Sequence, residues 1–188
     1  ELSKYQELWQ MLDEIDANTW VLEPANPTEA RGSAMRRIAL GNQVYLQAEL
    51  SVQNPRAVCS CRLLGPEREV APLRQKYNQN LHRWSPSKST LTNLRAVLDT
   101  DFPSPETTEK EEFSVECGVC YAYRLASDGP AAAESFPDVV CENKRCGRSF
   151  HHSCLYEWLR TLPSSRVSFD TIFGECPYCQ EAISLQGS

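Results

Sequence analysis

The last third of this chain carries eight metal-ligating residues in four tight pairs: Cys117-x-x-Cys120, Cys141-x-x-x-x-Cys146, His151-x-x-Cys154 and Cys176-x-x-Cys179. Four pairs of thiolate and imidazole ligands in so short a span match two four-coordinate zinc sites. A single Cys-x-x-Cys means little. Four pairs that use seven of the nine cysteines and close on Cys176-Pro-Tyr-Cys179 are a specific pattern. The competing arrangement is a disulfide framework, which needs an oxidising compartment. It has no use for the histidine inside the series, and residues 1–30 show neither a cationic leader nor the apolar run of a signal peptide. The expectation is a reducing, intracellular setting.

Phe150-His151-His152 offers two candidate imidazoles. His151 pairs with Cys154 across two residues, as the other tight pairs do, whereas His152 leaves one intervening residue, a poor chelate spacing. His151 is the expected ligand and His152 a surface or supporting group. Twenty residues separate Cys120 from Cys141 and twenty-one separate Cys154 from Cys176. These loops permit the four pairs to share metals either sequentially or in an interleaved order. In either order a core this small depends on its metal. Apolar burial rarely suffices below about 70–80 residues, and a structural zinc supplies on the order of 10 kcal/mol of folding free energy.

Across 188 residues, enough for one or two domains, the net charge is −6 and the hydrophobic content 41%, which allows a packed core. Residues 1–99 are net +1, residues 100–113 net −4 and residues 114–188 net −3. No basic stripe supplies the phosphate-neutralising term that dominates nucleic-acid affinity, so direct nucleic-acid binding is not expected. No stretch approaches the roughly eighteen apolar residues of a membrane span.

Residues 100–113, with two prolines and a run of acidic residues, read as an acidic linker; the alternative is a polar loop inside one domain. Ser127–Ser135 reads as a second loose stretch. Residues 1–99 read as an α+β domain. Leu2, Tyr5, Leu8, Trp9, Leu12 and Ile15 predict an amphipathic helix over 2–16. Trp20–Leu22 is a short strand, and apolar runs 34–40 and 43–52 about Gly41-Asn42 form a hairpin. Residues 57–64 form a third strand, closed by Gly65-Pro66. Two helices follow near 70–83 and 89–99, with Ser87 or Ser89 as a cap. Cys59 and Cys61 alternate on the third strand and point to one face, as buried thiols rather than nucleophiles. His82, the one histidine of this domain, has no evident tie to either.

Cys117-Gly-Val-Cys120, Phe150-His-His-Ser-Cys-Leu-Tyr-Glu-Trp-Leu159 and Cys176-Pro-Tyr-Cys179 resemble a RING finger with histidine at the fifth ligand position. The same ligand order occurs in PHD fingers, which read histone tails, but those usually carry an aromatic residue two before the seventh ligand. Here that residue is Gly174. Glu116–Leu125, Leu155–Arg160 and Phe173–Cys179 are similar to the finger of the Fanconi anaemia family of RING-type ubiquitin ligases, and residues 1–99 resemble that family's RWD-like domain, related to conjugating enzymes.

The resemblance implies an RWD-like domain at 1–99, a linker at 100–113 and a cross-braced RING finger at 114–188. It implies the interleaved order: Cys117, Cys120, His151 and Cys154 on one zinc, Cys141, Cys146, Cys176 and Cys179 on the other. It implies that the finger grips a ubiquitin-charged conjugating enzyme through Val119, Trp158 and Pro177, with Tyr121 and Leu155 as neighbours, and forms no covalent intermediate itself. Expected partners are the conjugating enzyme, ubiquitin, a paired Fanconi substrate and the other Fanconi core-complex subunits, in nucleus and cytoplasm, in the repair of DNA crosslinks. Many RING fingers carry Arg or Lys after the last ligand; Gln180 stands there, a neutral amide that makes no charge-assisted bond, which implies a ligase dependent on one dedicated conjugating enzyme. A non-catalytic zinc-stapled scaffold and a histone-tail reader are the alternatives.

Overall fold

The computed structural model describes residues 2–27, 30, 32–109, 113, 115–125 and 135–187, so most of the stretch 127–135 lies outside them. The chain divides into two compact units, residues 1–113 and 114–188. Among the described residues no helix is long and apolar enough to cross a membrane.

In the first unit, helix α1 (Leu2–Asn18) leads into strands β1 (Val21–Glu23), β2 (Met35–Gly41), β3 (Val44–Glu49) and β4 (Ser60–Leu64), which form an antiparallel meander in the order β1-β2-β3-β4. The β2–β3 hairpin pairs Ile38 with Leu46 and Ala39 with Tyr45. Its turn is carried by Gly41, Asn42 and Gln43, all at positive φ, a conformation Gly and Asn tolerate best. Helices α2 (Glu67–Asn80) and α3 (Thr90–Leu98) follow, separated by a 3₁₀ turn at Leu81–Arg83. Ser89 caps α3 by accepting the Thr92 N–H at 3.2 Å.

Strand alternation divides the apolar residues between the two sheet faces. Val21, Ile38, Leu46 and Ala48 join Leu8, Met11, Leu12 and Ile15 of α1 and Leu91, Leu94 and Leu98 of α3 in the main core. Leu22, Ala39 and Tyr45 cluster separately, with Trp20, Leu64 and Phe113 against them. Arg36, the most deeply buried charge of this unit, grips Asp16 through Nε at 2.7 Å and Nη2 at 3.1 Å and donates to the Ser33 and Met35 carbonyls. Breaking such a pair strands a buried charge, so it fixes where α1 meets the sheet.

Among the differences from expectation, three bear most on the fold. Strand β4 starts at Ser60 rather than 57, because a turn closed by Ala57 N–H to the Asn54 carbonyl takes up the preceding residues. Helix α2 starts at Glu67, where the Pro66 carbonyl accepts the Glu69 and Val70 N–H groups, each at 2.9 Å, and Glu67 and Glu69 face the positive helix end. The third difference is larger. Residues 100–109, expected to be a solvated linker, are docked on the first unit. Phe102 is only 5% exposed within the main core, and the Trp20 indole donates to the Thr108 hydroxyl at 2.8 Å. Two anchors suffice to seat a stretch whose composition is otherwise polar.

In the second unit, β5 (Val139–Val140) pairs with β6 (Ser149–Phe150), and α4 (His152–Thr161) leads to a three-stranded sheet of β7 (Arg166–Ser168), β8 (Thr171–Glu175) and β9 (Ala182–Gln186). Phe150, Leu155, Leu159, Ile172, Ile183 and Leu185 form its apolar core.

Candidate metal centres and the groove beside them

Each ligand pair is presented by a tight backbone knuckle. At the first, the Cys117 N–H bonds the Ala122 carbonyl at 3.0 Å and the Tyr121 N–H returns to the Cys117 carbonyl at 2.9 Å. The last repeats it: Cys176 N–H to the Glu181 carbonyl at 2.9 Å, Gln180 N–H to the Cys176 carbonyl at 3.0 Å. Tyr121, Gly147 and Gln180, each just past a pair, take positive φ to close these turns. The third pair straddles a helix start. His151 is the N-cap of α4 and Cys154 lies in its first turn, so the positive end of the helix faces the ligand cluster.

The knuckles bring the eight ligands into two groups. Cys117, Cys120, His151 and Cys154 form one and Cys141, Cys146, Cys176 and Cys179 the other, with the ligand atoms in each group within 4.8 Å of one another. Pairs one and three share a site, as do pairs two and four: the interleaved order. Zinc–sulfur bonds of about 2.3 Å put tetrahedral sulfurs roughly 3.8 Å apart. The Sγ separations are 3.7 Å for Cys141–Cys179 and 3.8 Å for Cys146–Cys176. In the first group His151 Nδ1 lies 3.3 Å from Cys120 Sγ and 3.8 Å from Cys154 Sγ. His151 Nε2 donates to the Tyr123 carbonyl at 3.1 Å, the usual outer bond of a metal-bound imidazole, and turns Nδ1 toward the thiols. His152 turns away, its Nε2 2.7 Å from the Gln186 carbonyl, and ties α4 to β9.

The thiols do not ionise alike. Burial opposes the Cys117 thiolate, but backbone N–H groups of residues 120, 151 and 119 outweigh it and hold this thiol below its ordinary value. The Glu181 backbone N–H brings Cys179 down to about 7. Burial, then the charge of neighbouring Cys117, pushes Cys154 up to about 12, and burial raises Cys141 and Cys146. Clustered thiols resist ionising together unless a cation sits among them, so the donor sets suit a divalent soft-ligand metal.

Around these centres the unit is cross-linked by aromatic packing. A Cβ on Gly118 would lie 2.8 Å from both Phe150 Cε1 and Tyr178 Cε2, so only glycine fits. The Tyr178 hydroxyl donates to the Gly118 carbonyl at 2.8 Å, joining first knuckle to last. A Cβ on Gly174 would meet Leu159 Cδ2 at 2.7 Å, so no aromatic residue of the histone-reader kind fits there without moving the core.

Helix α4 sends two stripes in opposite directions. Leu155 and Leu159 enter the core. Cys154, Glu157, Trp158 and Thr161, at i, i+3, i+4 and i+7, line a groove of about 590 Å³ together with Val119, Leu125 and Ser153. The groove wall is mostly apolar, and Trp158 is 38% exposed. Of the five expected docking residues, Val119 and Trp158 meet here. Leu155 does not: at 0% exposure it is a core residue, because its position in the helical repeat points it at Phe150 and Ile172. Tyr121 is 70% exposed but outside the lining, and Pro177 is half-buried in the last knuckle. Leu125 and Glu157 were not anticipated. Helical periodicity from Cys154 points to Glu157; nothing local points to Leu125, which arrives by a bridge to Ser135.

Two family models match the chain: one described as FANCL UBC-like domain 3 over residues 7–105, and one described as the FANCL C-terminal domain over residues 113–188. The chain is similar to the mouse protein named E3 ubiquitin-protein ligase FANCL, 43% identical over 180 residues, covering 96% of this chain and 46% of that protein. It is similar to the Drosophila melanogaster protein named E3 ubiquitin-protein ligase Fancl, 32% identical over 181 residues, covering 91% of this chain and 45% of that protein. The chain thus spans about half the length of the curated relatives it matches. A solved structure described as the crystal structure of FANCL superposes with a TM-score of 0.66 at 28% identity, covering 97% of this chain and 49% of that one.

Proposed function

The chain belongs to the FANCL family, and from that membership we propose that it acts as a RING-type ubiquitin-protein ligase whose second unit holds two structural zinc ions and recruits a ubiquitin-charged conjugating enzyme. The observation that carries this reading is the groove: a half-exposed Trp158 beside Val119, outside a core already filled by Leu155 and Leu159. A finger that only folded would have no need of an outward tryptophan, and partly exposed aromatics in apolar grooves are the usual anchors of protein interfaces.

Bound zinc would supply folding free energy and hold the knuckles in register. Each donor set provides four protein ligands, which fills a tetrahedral shell and leaves no open position for a reacting group. Val119, Leu125 and Trp158 would seat the conjugating enzyme, with Tyr121 and Pro177 at the rim. The substrate lysine amine then attacks the thioester carbonyl, an isopeptide bond forms, and the conjugating enzyme's cysteine leaves as thiol. The finger accelerates this step by holding the reactants in position. Gln180 offers only a neutral amide to ubiquitin, which favours transfer of single ubiquitins through one dedicated conjugating enzyme. The first unit, similar to a UBC-like domain, would bind substrate or partners: a paired Fanconi substrate and the other subunits of a Fanconi core complex, in nucleus and cytoplasm, during crosslink repair.

The test is discharge of a panel of ubiquitin-charged conjugating enzymes onto lysine, with and without the zinc-loaded chain. Acceleration for one member, abolished by Trp158→Ala, is expected. No acceleration for any member would leave a scaffold in place of a ligase.

A further inference from the structure

Cys59 and Cys61 take no part in the metal centres, yet their sulfurs lie 3.5 Å apart. Cys59 immediately precedes β4 and Cys61 lies within it, so one residue separates two thiols that already touch. The pair is asymmetric. Cys59 is buried in the main core, while Cys61, in β4, is only partly covered and packs, as does Tyr77 of α2, against that core. The Cys59 hydrogen bond favours the Cys61 thiolate and burial opposes it; the balance lowers Cys61 while Cys59 is raised. A partly covered thiol in contact with a buried one is the arrangement of attacking and resolving cysteines.

We propose that Cys59 and Cys61 form a reversible redox site on the first unit, closed to a disulfide by a low-molecular-weight disulfide such as oxidised glutathione. In the first step the Cys61 thiolate attacks one sulfur of glutathione disulfide, forming a mixed disulfide and releasing one glutathione thiolate. In the second, Cys59 gives up its proton and attacks the Cys61 sulfur. The protein disulfide forms and the second glutathione leaves as thiol. Two protein thiols are oxidised and one glutathione disulfide is reduced to two thiols. A bridge between residues two apart closes a small ring, and such strained disulfides are readily reduced, as reversibility requires.

The experiment equilibrates the zinc-loaded chain with glutathione redox buffers, blocks free thiols by alkylation and maps each cysteine by mass spectrometry, with zinc counted in parallel. The expected result is loss of two hydrogen masses on the fragment holding residues 59 and 61, reversed by dithiothreitol, with zinc still at two per chain. Cys59→Ser should stop at one glutathione on Cys61, and Cys61→Ser should leave Cys59 unmodified. Both thiols remaining alkylatable in fully oxidised glutathione would overturn the proposal. So would a persistent mixed disulfide in the wild-type chain, or oxidation that reaches the zinc ligands first. The wild-type fragment gives its answer even if a variant fails to fold.

Discussion

His151 and His152 are neighbours with opposite surroundings, one 0% exposed among thiols and the other bonded to the Gln186 carbonyl at the surface. His151→Ala should lower bound zinc from two per chain to one or fewer, while His152→Ala keeps both and loses about 1 kcal/mol for one hydrogen bond. Metal analysis beside thermal unfolding checks both, and the reverse order would move the ligand to His152. Gly118→Ala belongs at this scale too. Its new methyl group meets the Phe150 and Tyr178 rings, so unfolding of the second unit should come about 2 kcal/mol easier with no ligand touched. The ligands could be read from sequence because chelation imposes spacing. Leu155 and Trp158 could not be sorted that way: both are apolar and three apart, and only the packing of Leu159 and Phe150 decides which of them faces inward.

Helices and hairpins of the first unit follow their sequence signals closely, because amphipathic spacing in α1 and the Gly41-Asn42 turn each specify one local geometry. The segment after α3 shows where such signals stop. Its acidic, proline-containing composition describes most of its residues correctly and conceals Phe102, which is buried in the main core. Phe102→Ala should cost the first unit about 3 kcal/mol in chemical unfolding. A residue in a solvated linker would cost less than about 0.5 kcal/mol. Leu125 is a similar case in the second unit, since a groove wall assembled from a strand bridge and a distant helix has no signature in any one stretch of sequence.

At the scale of the molecule, the two units should differ in what holds them together. The first has a core of two helices on a sheet; the second has a handful of apolar side chains beside two clusters that could each hold a metal ion. Chelation should therefore remove hydrogen-exchange protection from residues 141–186 and leave β2 and β3 protected. A finger that kept its protection without metal would not be a zinc-dependent fold. Interleaving of the ligand pairs belongs to this scale as well: the loop lengths allow both orders, and the choice is made by β5–β6 pairing and the two knuckles meeting at Gly118 and Tyr178. Trp158 lines the groove over α4 and stands outside the apolar core, so docking of a conjugating enzyme and binding of metal should be separable. The measurement is a titration of the cognate conjugating enzyme against the zinc-loaded chain and its Trp158→Ala variant, with zinc counted in the same samples. Two zinc ions are expected in both, with an affinity loss of about 2 kcal/mol, roughly thirtyfold, in the variant. Unchanged affinity, or zinc lost along with affinity, would refute a docking role for Trp158.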